Sequence, residues 1–491
     1  MNSSVIRYIL GSVLKIEAIL LLLPTLVSVI YREPEGFKFL FVSIVCLIVG
    51  HLLSFKKPTN YLFYLKDGCV ATALSWIIMS IFGAMPFYLT GEIPSYTDAL
   101  FETISGFTTT GASILSDVEV LTHCSLFWRS FTHWIGGMGV LVFLLAIIPM
   151  TGGSHMNLMR AESPGPSVGK LVPKVKSTAR ILYLIYFGMT LIEIVLLLIA
   201  GMPVFDAVTL SFGTAGTGGF GVLNSSLGSY TMCQQWIVTI FMILFGVNFN
   251  AYYLILFGQF KNALKMEEVK CYLAIIFSAI VFVFLNIVDT SANVFRALLD
   301  SSFQVASIIT TTGFSTVDFN VWNQSCKTVL ILLMFIGACA GSTGGGVKVS
   351  RFIILFKTVI KELHSYIHPK SIKKISYEGK VLEHEVLRAT NVYFITFTTL
   401  FFFSVLLVSL EGNDFTTNFT AVAATINNIG PGLELVGPTR NFGHFRPFTK
   451  YILMFDMLAG RLELFPLLIL FHPAVWSDLF KQKLKHPKTN P

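Results

Sequence analysis

Apolar runs close to the length of a membrane crossing recur along the whole of this chain, and no other feature restricts its fold as much. Clear ones are Ile181–Ala200, Trp236–Phe257, Leu273–Val288 and Val392–Leu410. A helix needs about 20 apolar residues to cross roughly 30 Å of hydrocarbon. Composition agrees. Only 13% of the 491 residues are charged and 54% are hydrophobic, whereas soluble domains carry about 25% charged residues. Backbone groups have no water to bond at membrane depth, so only helices or closed barrels span it. Runs of this length specify helices, and the chain is expected to be an all-α polytopic membrane protein.

The N-terminal run "AILLLLPTLVSVI" follows Arg7 and Lys15 as a secretion signal would. Lys15 and Glu17 interrupt it, however, and no small-residue cleavage site precedes the next run, Phe39–Leu53. Both are read as retained spans. The seven cysteines lack CxxC spacing, so neither a metal cluster nor a disulfide scaffold is expected.

Charge orients the spans. With connections placed alternately on two sides, Lys and Arg crowd into 56–66, 151–180, 256–270, 348–388 and the tail from 473. The opposite connections 90–125 and 201–230 contain none. The basic side, with both termini, is cytoplasmic by the positive-inside rule. That rule absorbs most of the +8 net charge, so nucleic acid is not an expected partner. The block "HPKSIKKISYEGK" at 368–380 reads as a loop facing lipid headgroups or a protein partner. Outside, Glu92, Asp98, Glu102, Asp117 and Glu119 surround the first base-free segment. They either draw cations to an outer mouth or reflect the avoidance of bases in translocated loops.

After two N-terminal spans over 1–60, one unit recurs four times: apolar span, short amphipathic stretch, Thr/Gly loop, second span. The units are 61–155, 156–262, 263–368 and 369–491, the last ending in a basic cytoplasmic tail. Their loops are Thr108, Thr109, Thr110, Gly111; Gly216, Thr217, Gly218, Gly219; Thr310, Thr311, Thr312, Gly313; and Asn427, Asn428, Ile429, Gly430. An even number of crossings keeps the units parallel, so they relate by an axis along the membrane normal and enclose a central pore. Non-helical backbone at this depth is tolerated only when buried or lining an aqueous cavity. The aligned glycine of each loop reaches backbone angles denied to other residues. Such loops can aim rings of carbonyls at one axis, where they replace the hydration shell of an alkali cation.

The pattern resembles the bacterial Trk/Ktr/HKT superfamily of potassium transporters, most closely its Trk-type membrane subunit. The likeness covers nearly the whole chain. It rests on "SGFTTTGAS", "TAGTGGFG", "SIITTTGFST" and "ATINNIGPGL" as selectivity-filter loops, and on "HWIGGMGVLVF", "AGSTGGGVKVSR" and "AGRLELF" as outbound segments of units one, three and four. The two extra N-terminal spans favour the Trk branch. By this resemblance potassium is the transported ion, bound through filter carbonyls in a bacterial inner membrane. The partners implied are a second copy of the chain and a cytosolic nucleotide-binding regulatory ring. The second and fourth loops depart from the family's simplest pattern at Gly216, Gly218, Asn427 and Ile429, so discrimination among alkali cations is expected to be softer than in a tetrameric channel.

"GACAGSTGGGVK" interrupts the third outbound span with glycines that disfavour helix by about 1 kcal/mol each. Gly341, Gly344, Gly345 and Gly346 either form a bent gate beneath the filter, the reading the resemblance favours, or allow close helix packing. Lys348 and Arg461 bring positive charge near the path. Arg461 lies mid-way along the apolar run Tyr451–Phe471, where a charge costs roughly 2.5–3.5 kcal/mol unless it faces a partner or water. Carbonyls of the 341–346 loop are the expected partners; an acid elsewhere is the alternative.

Other motifs are set aside. "GTGGFG" at 216–221 fits a dinucleotide fingerprint in letters but lacks the strand–helix unit and the acidic residue about twenty positions on, and "GSTGGGVK" resembles a phosphate-binding loop but has Val347 where Lys should follow the last glycine. His364 and His368 lack a third metal ligand and read as solvated loop residues. No nucleophile–base set is present, so no enzyme is expected. Proton-coupled symport and the membrane subunit of a potassium-pumping ATPase remain the competing functions, although no buried acid–histidine relay is evident in the sequence.

Overall fold

The recurrent unit becomes visible in how the helices meet. The structure, a computed structural model, describes residues 2–58, 64–139, 175–371 and 373–476. Among the described residues, six helices are long and apolar enough to cross a membrane: Ser3–Tyr31, Gly36–Ser54, Leu65–Thr90, Arg180–Ile199, Glu267–Ile287 and His384–Ser409. The first two are the N-terminal spans; the other four lead into the four units. Lys15 and Glu17 sit inside the first helix, Ser3–Leu20, rather than ending it.

Each inbound helix is followed by a short one: Tyr96–Phe107, Val204–Gly216, Val294–Ile309 and Phe415–Ile426. These have 12 to 16 residues, or about 18–24 Å at 1.5 Å per residue, too short to cross. Polar caps start three of them. Ser95, Asn293 and Asp414 accept backbone N–H groups of Asp98, Arg296 and Thr417, satisfying donors that a helix start leaves open. Three end immediately before a loop of the recurrent unit, and the second ends on the first residue of its loop, Gly216.

The outbound helices are His123–Gly137, Met232–Phe245, Gln324–Ile336 and Pro447–Arg461. Each touches the re-entrant helix of the following unit, and the fourth touches that of the first. This cyclic contact closes the four units around one axis. Within a unit, two glycines let the outbound helix pack closely on the end of its own re-entrant helix. A side chain at Gly136 would strike the Phe107 carbonyl, and one at Gly460 the Ile426 carbonyl, the equivalent last residues of the first and fourth re-entrant helices.

Three sequence expectations are corrected. The run Trp236–Phe257 is two helices, Met232–Phe245 and Phe249–Leu256, bent by 91°; the Asn248 side chain caps the second by accepting from Asn250 N–H. The run Tyr451–Phe471 ends its helix at Arg461, and Glu463 and Leu464 take positive φ of 53° and 69°. Pro466 accounts for the stop, because a helical proline would clash with the carbonyl four residues back. His364 lies on the helix Val349–Ile367, not in a loop, and the basic 368–380 segment contains a small hairpin pairing Ser376–Tyr377 with Lys380–Val381. The rest of "HWIGGMGVLVF" beyond Gly139, and the tail beyond Trp476, lie outside the described residues.

Candidate ion pathway

The four Thr/Gly loops share one backbone conformation. Their glycines, Gly111, Gly219, Gly313 and Gly430, have φ of 75°, 78°, 84° and 99°. Two positions earlier, Thr109, Thr217, Thr311 and Asn428 also have positive φ, between 55° and 59°. Left-handed backbone costs a residue with a side chain about 1–2 kcal/mol, and for β-branched threonine it is rare. The same strain held at matched positions in four segments marks a functional constraint. Sequence reasoning named these threonines as loop residues but gave the left-handed backbone only to the glycine, because local propensity argues against positive φ at threonine.

The loops meet in sequence order. A Cβ on Gly111 would collide with the Gly218 carbonyl, one on Gly219 with that of Thr312, one on Gly313 with that of Ile429, and one on Gly430 with that of Thr110. The third residue of each loop therefore presses its carbonyl onto the glycine of the loop before it, around a closed ring. All four glycines line one cavity of about 170 Å³.

Among the described residues, no protein hydrogen bond reaches the carbonyls at the second, third or fourth positions of any loop, although Thr109, Thr110, Thr217, Thr311, Thr312, Asn428 and Ile429 are buried. Buried carbonyls are ordinarily paired. The first-position hydroxyls of the first and third loops, in contrast, are bonded within the protein. Thr108 and Thr310 bond the Ile104 and Ala306 carbonyls and, at 2.8 Å each, the hydroxyls of Thr110 and Thr312. The C-terminal ends of the re-entrant helices stand just before these loops, and their partial negative charge favours a cation.

Beneath the ring lies a non-helical segment, 337–348, between helices Gln324–Ile336 and Val349–Ile367. Gly345 N–H donates to Thr311 Oγ1 at 2.6 Å and Gly346 N–H to the Asn427 carbonyl at 3.1 Å. Gly341 accepts from Phe249 N–H at 3.0 Å, which ties the segment to the break in the second outbound helix. Lys348, buried and at φ 82°, donates its ammonium to the Gly344 carbonyl. Glu268 holds the rear, accepting from Ala340 N–H at 2.6 Å and Asn248 Nδ2 at 3.1 Å, while its own N–H donates to Glu378 in the turn of the small hairpin.

Arg461 meets this segment as its placement in the sequence suggests. Its guanidinium donates to the Thr343 carbonyl at 2.9 Å, the Gly137 carbonyl at 2.7 Å and the Gly136 carbonyl. One side chain thus joins the fourth outbound helix, the glycine-rich segment of the third unit and the first outbound helix. Glu463 pairs instead with Arg351, which stacks over Tyr393 at 3.9 Å.

The five acids around the first base-free segment do not share one environment. Glu102 is buried and paired with Arg129 at 2.8 Å, and Asp98 with Lys450 at 2.6 Å. Only Asp117 and Glu119 of the five acids are exposed. Arg129 and Glu102 are 27 residues apart, so no local pattern announces them. Removing one partner of a buried pair costs about 3–5 kcal/mol. Glu102→Ala is expected to lower the melting temperature of the detergent-purified protein and to slow cation flux by leaving Arg129 uncompensated beside the cavity that the four loop glycines line. Thermal melting and liposome flux check both effects.

Ring and interruption together define a polytopic membrane protein of four re-entrant units around one axis. The sequence matches the TrkH family, cation transport proteins, over residues 35–483. It is 36% identical over 489 residues to the Trk system potassium uptake protein TrkH of Salmonella typhimurium, covering 97% of this chain and 100% of that protein. It is 31% identical to the Trk system potassium uptake protein TrkG of Escherichia coli K12, at 97% and 100% coverage. The crystal structure of the potassium transporter TrkH from Vibrio parahaemolyticus superposes with a TM-score of 0.88 at 32% identity, covering 97% of this chain and 100% of that one. The chain belongs to the TrkH family of cation transport proteins, and is a membrane transport protein rather than an enzyme.

Proposed function

We propose that the chain is the potassium-conducting membrane subunit of a Trk-type uptake system in a bacterial inner membrane, with its termini cytoplasmic. The observation that carries this reading is the ring of buried filter carbonyls that accept no protein hydrogen bond. Such a ring suits a dehydrated alkali cation, and the relatives' potassium transport supplies the ion. The filter comprises the four loops from Thr108, Gly216, Thr310 and Asn427 through their glycines. The segment 341–346, with Lys348 and Arg461, is the gate. The four repeats at 61–155, 156–262, 263–368 and 369–491 are the pore units, after the N-terminal spans in 1–60.

Passage down the electrochemical gradient is favoured over proton symport. The buried acids Glu17, Glu193 and Asp456 stand on separate helices, and no hydrogen bond joins them among the described residues. Regulation comes from outside the chain: a nucleotide-binding ring docks on the basic cytoplasmic face of a homodimer and acts on the gate. Purified protein in liposomes, assayed for potassium flux with and without a pH gradient, tests the reading. Flux should follow the potassium gradient and voltage alone, and a requirement for the pH gradient would establish symport instead. Flux that is identical with and without the regulatory subunit, and insensitive to nucleotide, would count against the partner.

A further inference from the structure

The second filter loop lacks the brace that holds the first and third. In those loops the hydroxyls at the first and third positions bond each other, Thr108 to Thr110 and Thr310 to Thr312. The corresponding residues of the second loop are Gly216 and Gly218, with no side chain to offer. The space is filled from the neighbouring unit. A Cβ on Gly218 would fall on the imidazole of His133, and one on Gly216 would meet the His133 backbone and Cβ.

His133 is fully buried on the first outbound helix. Its Nδ1 lies 2.8 Å from the Gly106 carbonyl, in the last turn of the first re-entrant helix. Its Nε2 accepts the N–H of Phe220, the residue after the filter glycine Gly219, at 3.2 Å. An acceptor at Nε2 requires the proton on Nδ1, which then donates to Gly106, so both bonds fix one neutral tautomer. Phe220 is held further by the imidazole, 4.3 Å between ring centroids, and by the Arg129 guanidinium 4.1 Å from its own. The fourth loop is braced across units in a similar way: Asn428 Nδ2 donates to Thr110 Oγ1 and to the Met457 carbonyl, both at 2.9 Å.

We propose that His133 is a selectivity-determining positioning residue, whose imidazole replaces the absent hydroxyl brace and fixes the carbonyl of Gly218 and the backbone of Gly219 in the ring. The proposal rests on the four-loop filter reading. It also explains why the second loop departs from the threonine pattern: threonine at 218 would occupy the place of the ring that holds the loop. The two glycines and the histidine act as one device.

Potassium-to-sodium and potassium-to-rubidium flux ratios in liposomes test it, with melting temperature measured in parallel. In His133→Asn the amide keeps a donor near Nδ1 but offers no acceptor to Phe220 N–H, and the potassium-to-sodium ratio should fall at least fivefold with melting little changed. In His133→Gln the amide oxygen reaches the Nε2 position, and most of the ratio should return. Gly218→Ala disturbs the same contact from the loop side and should lower the ratio even if the histidine variants fold poorly. Gly313→Ser serves as the control on the filter reading. If it lowers the ratio while His133→Asn and Gly218→Ala leave it unchanged, the inference about His133 is overturned and the filter stands. If Gly313→Ser also leaves it unchanged, both fall. Equal losses in His133→Asn and His133→Gln would refute the acceptor role assigned to Nε2.

Discussion

Arg461→Ala should raise resting potassium flux in the absence of any regulatory subunit by at least tenfold, at normal folding and expression. The guanidinium donates to carbonyls of Thr343, Gly136 and Gly137, and hydrogen bonds to charged groups contribute about 1.5–3 kcal/mol each. Losing even one of them in the closed state shifts the closed-to-open ratio by roughly tenfold or more, at about 1.4 kcal/mol per tenfold. Arg461→Lys should fall between, since it keeps the charge but loses the planar fork that reaches several acceptors at once. Radiotracer or thallium-quench flux in liposomes measures both. A well-folded Arg461→Ala with wild-type flux would remove Arg461 from the gate.

Gly313→Ser should lower the potassium-to-sodium permeability ratio by about tenfold, and Gly111→Ser similarly. Two effects act together. Left-handed backbone costs a non-glycine residue about 1–2 kcal/mol, and the new Cβ must displace the Ile429 or Gly218 carbonyl of the next loop. The backbone cost alone approaches the roughly 1.4 kcal/mol that a tenfold change represents. Because each glycine abuts its neighbour's carbonyl, one substitution disturbs two of the four loops. Reversal potentials in mixed potassium and sodium read the effect, and an unchanged ratio in a well-expressed variant would sink the assignment.

Features that depend on composition over a short window were legible in the sequence. Membrane spans declare themselves by length and hydropathy, the four loop glycines by fourfold recurrence, and the segment 341–346 by glycines no helix favours. Arg461 was legible for a different reason: a charge in an apolar run needs a partner, and the nearby glycine-rich backbone offers carbonyls. What escaped depends on contacts between distant residues or on tertiary strain. Hydropathy does not register the 91° break at Gly246–Asn248, because both halves are equally apolar. Glu102 reads as an exposed acid until Arg129 is placed against it. Positive φ at Thr109, Thr217 and Thr311 contradicts local preference and occurs where the four loops meet. His133 sits in a motif recognised only as part of an outbound helix, and its role is evident once Gly216 and Gly218 are seen to make room for it.

The most direct test is to locate the ion. Crystals of the protein grown or soaked in thallium, a heavy substitute for potassium, should show anomalous density on the central axis, within coordinating distance of the carbonyls of Thr110, Gly218, Thr312 and Ile429. The same peak should weaken in Gly313→Ser. Well-ordered loops with no density on that axis, and thallium bound elsewhere in the membrane region, would contradict a cation path through the four-loop ring.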